Sequence, residues 1–258
     1  MSVAGSRLAC AGCGWIPFAD QPYPFRCPNA GSDDIDHVIV RTLDRSQLSW
    51  PEGAERNPFI RYRTLLHSYH LALQRGLGDA GYVELVERLD KEVAAVDGHG
   101  FVETPFGRAD ELSGRLGFGS GGAWVKDETG NVSGSHKARH LFGLLLHLGV
   151  IEGTDNSPGA GARDLAIASC GNAALAAAVV ARAGGLRLRV FVPTWADKGV
   201  VDRLRSLDAV IEVCEREPGV PGDPTYHALQ KALAEGALPF TCQGNLNGLA
   251  IEGGETIG

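Results

Sequence analysis

A chain of 258 residues with 44% hydrophobic composition can bury one large core or two small ones without disulfide support. Its formal net charge of -7 leaves no basic stripe for phosphate backbones, which argues against nucleic acid as a partner and for a small molecule. The start, MSVAGSRLACAGCGW, lacks the charged and then apolar run of a secretory signal, and no later stretch approaches the length of a membrane span. No membrane partner is therefore expected, and a cytoplasmic address follows.

Residues 1–40 are rich in Cys, Pro, Gly and Asp and show no helical period; they read as a small ribbon-like segment. Cys10, Cys13 and Cys27 have the spacing C-x2-C-x13-C, which suits thiolate coordination of zinc, with His37 or Asp36 available to complete the set. The competing reading is a ribbon held by packing alone. Cys170, Cys214 and Cys242 are scattered singly, a pattern that fits a reducing compartment rather than a disulfide framework.

Residues 41–98 form a helical segment. Asn57-Pro58 is an N-cap followed by proline at the first helical position, and Gly76 and Gly78 supply a stop. Val83, Val86, Leu89, Val93 and Val96 then recur every three or four residues, the mark of one buried helix face. Residues 99–258 begin Gly-rich, with Ala123-Trp124-Val125 as the best strand candidate and Ser135 placed to cap a helix reaching His147.

From Leu165 the chain alternates. Strands are expected at Leu165 to Ser169, Leu188 to Val192 and Val210 to Val213, and helices at Ala173 to Arg182, Lys198 to Leu207 and Tyr226 to Glu235. Such alternation predicts an α/β fold with a parallel sheet of right-handed βαβ units. Strands that are apolar on successive residues, as in Ala166-Ile167-Ala168, fit a sheet covered by helices on both faces.

Two segments could carry chemistry. In VKDETGNVSGSHKARH, residues 125–140, a strand runs through a polar turn into a helix with Lys137 in its first turn. A lysine there is ordinarily a solvated surface residue. In DLAIASCGNAALAAAVVARAGG, residues 164–185, the loop Ser169-Cys170-Gly171-Asn172 ends at the start of an Ala-rich helix, whose free N–H groups suit a carboxylate or phosphate. An ordinary βα loop with Asn172 as N-cap is the plainer alternative.

Together the two segments resemble the tryptophan-synthase-β-like, fold type II family of pyridoxal-phosphate enzymes. Asn131, Gly134, Ser135, Lys137 and Arg139 look like its Schiff-base lysine motif, and Ser169, Gly171 and Asn172 look like its asparagine loop. Residues 191–213 are similar to its next strand-helix-strand, and Thr104-Pro105 resembles the motif that opens the cofactor domain. The early Cys-x-x-Cys-Gly points, within that family, to threonine synthase and its relatives.

The resemblance implies pyridoxal 5'-phosphate as cofactor, held by Lys137, and a lyase that eliminates or replaces at the β or γ carbon of an amino-acid substrate. It implies that Asn172 bonds the cofactor's phenolic oxygen, and that Ser169, Gly171 and Ser135 bind substrate. It also implies a homo-oligomer, commonly a dimer. Val132-Ser133, His136 and Ala138 depart from the commoner family residues and bear on the choice of substrate. The family's second half, with its phosphate-binding glycine loop, is not found before the sequence stops at Gly258, within what reads as a helix. Gly119-Ser120-Gly121-Gly122 reads as a turn rather than that loop. A serine, threonine or diaminopropionate ammonia-lyase is the sibling reading, and a truncated, non-catalytic relative or zinc-ribbon interaction protein is the reading from another class.

Overall fold

Residues 6–10 form a strand whose side chains alternate in burial, with Ser6, Leu8 and Cys10 buried and Arg7 exposed. A computed structural model describes residues 2–3, 5–18, 21–31, 36–46, 48, 50–154 and 163–257. In it β1 (Ser2–Val3), β2 (Ser6–Cys10) and β3 (Ile39–Leu43) form an antiparallel sheet in that order. The ribbon thus runs three residues past the expected boundary at 40, because Ile39 pairs with Cys10 and Leu43 with Ser6.

The helical segment follows as α1 (Pro58–Arg61), a 3-10 turn at 63–65, α2 (His67–Gln74) and α3 (Gly78–Asp97). Asn57 caps α1 by accepting from the Phe59 N–H, with Pro58 at the first position, as the sequence predicts. Gly76 and Gly78 take left-handed φ of 82° and 72°, which breaks α2 from α3. On α3 Val86, Leu89 and Val93 are buried together with Tyr82 and Leu85, while Val83 and Val96 sit at the edge of that face.

Next comes a small two-stranded sheet of β4 (Phe106–Arg108) and β5 (Trp124–Lys126), joined through α4 (Asp110–Arg115). Residues 119–122 are a turn leading into β5. This arm leaves Phe106, Leu116, Phe118 and Trp124 exposed.

α5 (Lys137–Thr154) is longer than the expected helix ending at His147. It is buried nearly all round through Leu141, Phe142, Leu144, Leu145, Leu146, Leu148, Val150 and Ile151, as befits a helix apolar on every face.

The main sheet is parallel, with β6 (Leu165–Ala168), β7 (Leu188–Pro193), β8 (Val210–Cys214) and β9 (Leu238–Pro239) in the order β8-β7-β6-β9. The pleat sorts its side chains. Leu165, Ile167, Val190 and Val192 face the large core of α5 and α6 (Asn172–Ala183), while Ala166 and Phe191 face α8 (Pro224–Ala234) through Leu229 and Ala232. α7 (Lys198–Ser206) joins the α6 side through Leu204. Ala-rich α6 packs closely because it presents methyl groups, and α9 (Ala250–Glu255) closes the described chain against α5. α9 ends at Glu255 with Thr256 as its C-cap, while Gly258 lies outside the described residues.

Candidate functional site

The lysine loop is built by hydrogen bonds rather than by regular structure. Asn131, only 2% exposed, donates from Nδ2 to the Ser135 carbonyl at 2.8 Å, and its own carbonyl accepts from the Gly134 N–H at 2.8 Å. Its Oδ1 is buried without a partner among the described residues. Between these ties Ser133 adopts φ 57°, rare for a residue with a side chain, and Gly134 adopts φ 70°. Asp97 at the end of α3 accepts the Ser133 N–H at 2.8 Å and so helps hold that conformation. Ser135 is buried and extended, and its hydroxyl accepts from the Lys137 N–H at 3.4 Å. The chain then enters α5 at Lys137, which is half-buried.

Two residues beyond the lysine, Arg139 is 1% exposed and locks the loop to three other parts of the chain. Its guanidinium pairs with Glu128 at 2.7 Å and 3.1 Å, donates to the Val102 carbonyl and Thr104 Oγ1, and donates to the Thr256 carbonyl at 3.3 Å. Thr104 in turn donates to Glu128, and Lys126 Nζ to the Thr104 carbonyl at 2.9 Å. The Thr104-Pro105 motif and the lysine motif are therefore one network in space. Glu128 carried no signal in the sequence that marked it as the Arg139 partner.

The surroundings of Lys137 come from the far end of the chain. Cys242 Sγ contacts the Lys137 carbonyl at 3.7 Å. Burial pushes the Cys242 thiol up to about 11, with the Lys137 ammonium pulling the other way. The His136 and His140 imidazoles are held below their ordinary range by burial, with the same ammonium adding to the effect. His140 Nδ1 meets the Ala250 carbonyl at 2.8 Å, and a Cβ on Gly253 would strike the Arg139 carbonyl oxygen. α9 can approach the lysine turn this closely only because that position is glycine.

The second loop leaves the carboxyl end of β6. Ser169 N–H bonds the Phe191 carbonyl at 3.2 Å, and the Gly171 N–H points to Ser169 Oγ at 3.5 Å. Gly171, not Asn172, is the N-cap of α6, and no side chain caps it. Asn172 is the exposed first residue of the helix, so the plainer N-cap reading does not hold. A Cβ at Gly171 would meet nothing within 4 Å, so open volume lies before the loop.

The two loops share one edge of the sheet. Phe240 N–H bonds the Ala166 carbonyl at 2.9 Å, which sets the segment leading to Cys242 and Lys137 alongside β6, the strand that feeds Ser169. A cleft of about 420 Å³ opens at the same carboxyl ends of β6, β7 and β8, lined by Ser169, Cys170, Thr194, Trp195, Arg216 and Thr225. Ligands of open parallel sheets bind at that edge. Of the residues expected from the sequence, Ser169 lines this cleft, whereas Lys137 and Asn172 do not. The lining residues that follow β7 and β8 were not singled out in the sequence, because only the sheet order brings them there.

A pyridoxal phosphate group acting on an amino acid asks for a lysine amine, an amide donor and, for the substrate carboxylate, free backbone N–H groups. Lys137, Asn172 and the uncapped N-terminus of the 12-residue α6 are donors of those three types, with open volume beside Gly171. The donor set fits.

The sequence profile described as pyridoxal-phosphate dependent enzyme matches residues 99–258. No curated protein sequence matches the chain significantly. Among solved structures, diaminopropionate ammonia lyase of Escherichia coli in apo form is similar with a TM-score of 0.50 and 18% identity, over 68% of this chain and 48% of that one. Maize serine racemase gives 0.47 and 19%, over 67% and 47%. Threonine deaminase isoform 2 from Solanum lycopersicum gives 0.47 and 20%, over 70% and 44%. The chain thus spans less than half the length of each of these structures. No helix among the described residues is long and apolar enough to cross a membrane. With the family profile covering well over half of the sequence and the α/β sheet matching the fold, the chain belongs to the pyridoxal-phosphate-dependent enzyme family.

Proposed function

We propose that this chain carries the cofactor-anchoring half of a cytoplasmic amino-acid lyase of the threonine synthase kind, working at Lys137. The observation that supports this most directly is the setting of Lys137: a half-buried amine on the first turn of α5, on a loop fixed by Asn131 and Arg139, beside the strand that feeds the Ser169–Asn172 loop.

Lys137 would hold the cofactor through its amine, and the Asn172 amide would bond its phenolic oxygen. When bound, that group supplies a conjugated ring able to take up the electron pair left at a substrate α carbon. The Lys137 amine would also serve as the base that takes the substrate α proton and returns it. Ser169, the Gly171 backbone and the first N–H groups of α6 receive the substrate carboxylate, and the helix dipole favours that negative charge. Ser135 contributes by holding the Lys137 backbone, as well as bordering the substrate. Rigid ties on both sides of the lysine matter because a small misplacement of the reacting amine is costly in rate. Cys170, Cys214 and Cys242, scattered singly along the chain, accord with a reducing, cytoplasmic setting. The exposed apolar side chains of the β4–β5 arm accord with a homo-oligomer, and a mass above that of one chain in light scattering is expected.

The test is addition of pyridoxal phosphate, borohydride reduction and peptide mapping. The chain has five lysines, Lys91, Lys126, Lys137, Lys198 and Lys231. The label is expected on Lys137 and lost in Lys137→Ala; a label spread over the other four, unchanged in that variant, would remove the assignment. Release of inorganic phosphate from a phosphorylated hydroxy-amino acid supports the threonine-synthase-like reaction, whereas release of ammonia from serine, threonine or diaminopropionate supports the ammonia-lyase sibling.

A further inference from the structure

Four metal-binding side chains from separate parts of the N-terminal ribbon converge on one point. Cys10 ends β2, Cys13 sits on the turn that follows, Cys27 lies in the next loop and His37 precedes β3. Their ligand atoms all lie within 4.8 Å of one another. Cys13 Sγ and Cys27 Sγ are 3.6 Å apart, Cys10 Sγ and His37 Nδ1 3.5 Å, and Cys27 Sγ and His37 Nδ1 3.4 Å. A tetrahedral ion with metal–sulfur bonds of about 2.3 Å and metal–nitrogen bonds of about 2.0 Å has ligand–ligand edges of about 3.5 to 3.8 Å. The three measured separations match edges of such a tetrahedron, and the Cys13–Cys27 distance is far longer than a disulfide bond.

We propose that Cys10, Cys13, Cys27 and His37 bind one structural zinc ion that fastens the N-terminal ribbon to the α/β body. Three thiolates and an imidazole in a tetrahedral array select zinc over magnesium or calcium, and four protein ligands leave no open position for substrate. The backbone is shaped for the purpose. Cys10 N–H bonds the Trp15 carbonyl at 2.7 Å, the Gly14 N–H bonds the Cys10 carbonyl at 2.9 Å, and Gly14 has φ 74°, which curls residues 10–15 into a knuckle. A Cβ on Gly12 would sit 2.7 Å from the Asp36 carbonyl oxygen, so glycine there lets the His37 segment close on the knuckle. Asp36 gives backbone to this contact and is not one of the four ligands. Asn29 Nδ2 donates to Cys13 Sγ at 3.4 Å, an outer-sphere bond that offsets the negative charge gathered on the sulfurs.

The ion would act on the fold through the loop it closes. Within that loop the Pro22 carbonyl accepts from His147 Nε2 on α5 at 3.2 Å, and the Phe25 carbonyl accepts from the Gly248 N–H at 3.0 Å. Cys10, Phe25 and Cys27 share the large core with α5. Metal binding therefore secures the strap lying over α5 and the segment before α9.

The test is metal content of the full chain, purified without chelator, by plasma mass spectrometry. One zinc per chain is expected, and cobalt substitution should give the intense visible bands of a tetrahedral thiolate site. Cys13 is exposed, so Cys13→Ser leaves the packing intact and should lose the ion to a chelator that the wild type resists, while Cys214→Ser retains it. Asn29→Ala should weaken zinc binding about 10-fold or more. Zinc no higher in the wild type than in a Cys13→Ser, Cys27→Ser double variant would overturn the proposal. So would a weak, octahedral cobalt spectrum, or a Cys13–Cys27 disulfide in the freshly purified chain.

Discussion

Acidification is predicted to destabilise this protein through a histidine pair that the fold has shut away from water. His67 and His147 are 0% and 1% exposed, with stacked rings 6.4 Å apart. His67 Nε2 and His147 Nδ1 are buried without hydrogen-bond partners among the described residues. Burial pushes His67 from 6.5 down to about 3 and His147 down to about 4. A lowered folded value means that each ring's contribution is complete above 6.5 and is lost as the pH falls toward 3 or 4. At pH 5 the unfolded imidazoles are protonated and the folded ones are not, a loss of about 2 kcal/mol per ring and about 4 for the pair.

Glu252 opposes this. It is wholly enclosed, accepts the His67 N–H at 2.7 Å, and is pushed up to about 7 by burial, with Arg41 pulling back. A raised folded value means that its contribution is present below 4.5 and lost as the pH rises through 7. Acidification to pH 5 therefore restores about 2 to 3 kcal/mol, and the wild type should lose about 1 to 2 kcal/mol net between pH 8 and pH 5. His147→Gln should make the profile nearly flat, and Glu252→Gln should steepen the loss to about 4 kcal/mol. Urea unfolding followed by far-ultraviolet circular dichroism at several pH values reads all three. A wild-type stability that is flat or higher at pH 5, or one slope shared by both variants, would refute the reasoning.

The network beneath the lysine loop makes a second prediction. Arg139→Met alone strands the buried Glu128 carboxylate and should cost about 3 to 5 kcal/mol, while the Arg139→Met, Glu128→Leu double variant should recover much of it, as measured by urea midpoints. At the α5–α9 contact, Gly253→Ala should cost about 1 to 3 kcal/mol, because the new methyl is driven into the Arg139 carbonyl. Gly153→Ala on the open side of α5 should be neutral or gain up to about 1 kcal/mol, since nothing lies within 4 Å of its Cβ. Equal effects at the two glycines in thermal unfolding would show that the close contact does not matter.

The parallel β6–β7–β8 sheet and its helices were legible because each is set by local patterning. Short apolar runs form β6 and β7, which are covered on both faces, and the edge strand β8, which is only partly covered; the Ala-rich period forms α6. Asn57-Pro58 and the Gly76/Gly78 break were readable for the same reason: a cap and a left-handed φ are decided within a few residues. β9 was not, because a two-residue strand ending in proline has no propensity of its own and exists where β6 offers it an edge. The C-terminal helix was legible, but its end was not: α9 stops at Glu255, with Thr256 as C-cap, instead of running on to Gly258. α5 outran its expected end because apolar packing on all sides carries the helix past His147.

At the candidate site, the sequence by itself determined which residues were chemically able: a lysine at a helix start, a small-residue loop before an Ala-rich helix, and thiols at ligand spacing. Only the tertiary structure decided which of them meet. It placed Cys242 against Lys137 from 105 positions away, tied Arg139 to Glu128, made Gly171 rather than Asn172 the cap, and brought His37 rather than Asp36 to the three cysteines. Spacing along the chain fixes neighbours within a turn or a helix. Neighbours across a sheet or between packed helices are fixed by burial and by backbone hydrogen bonding of the whole chain, which no short window of sequence contains.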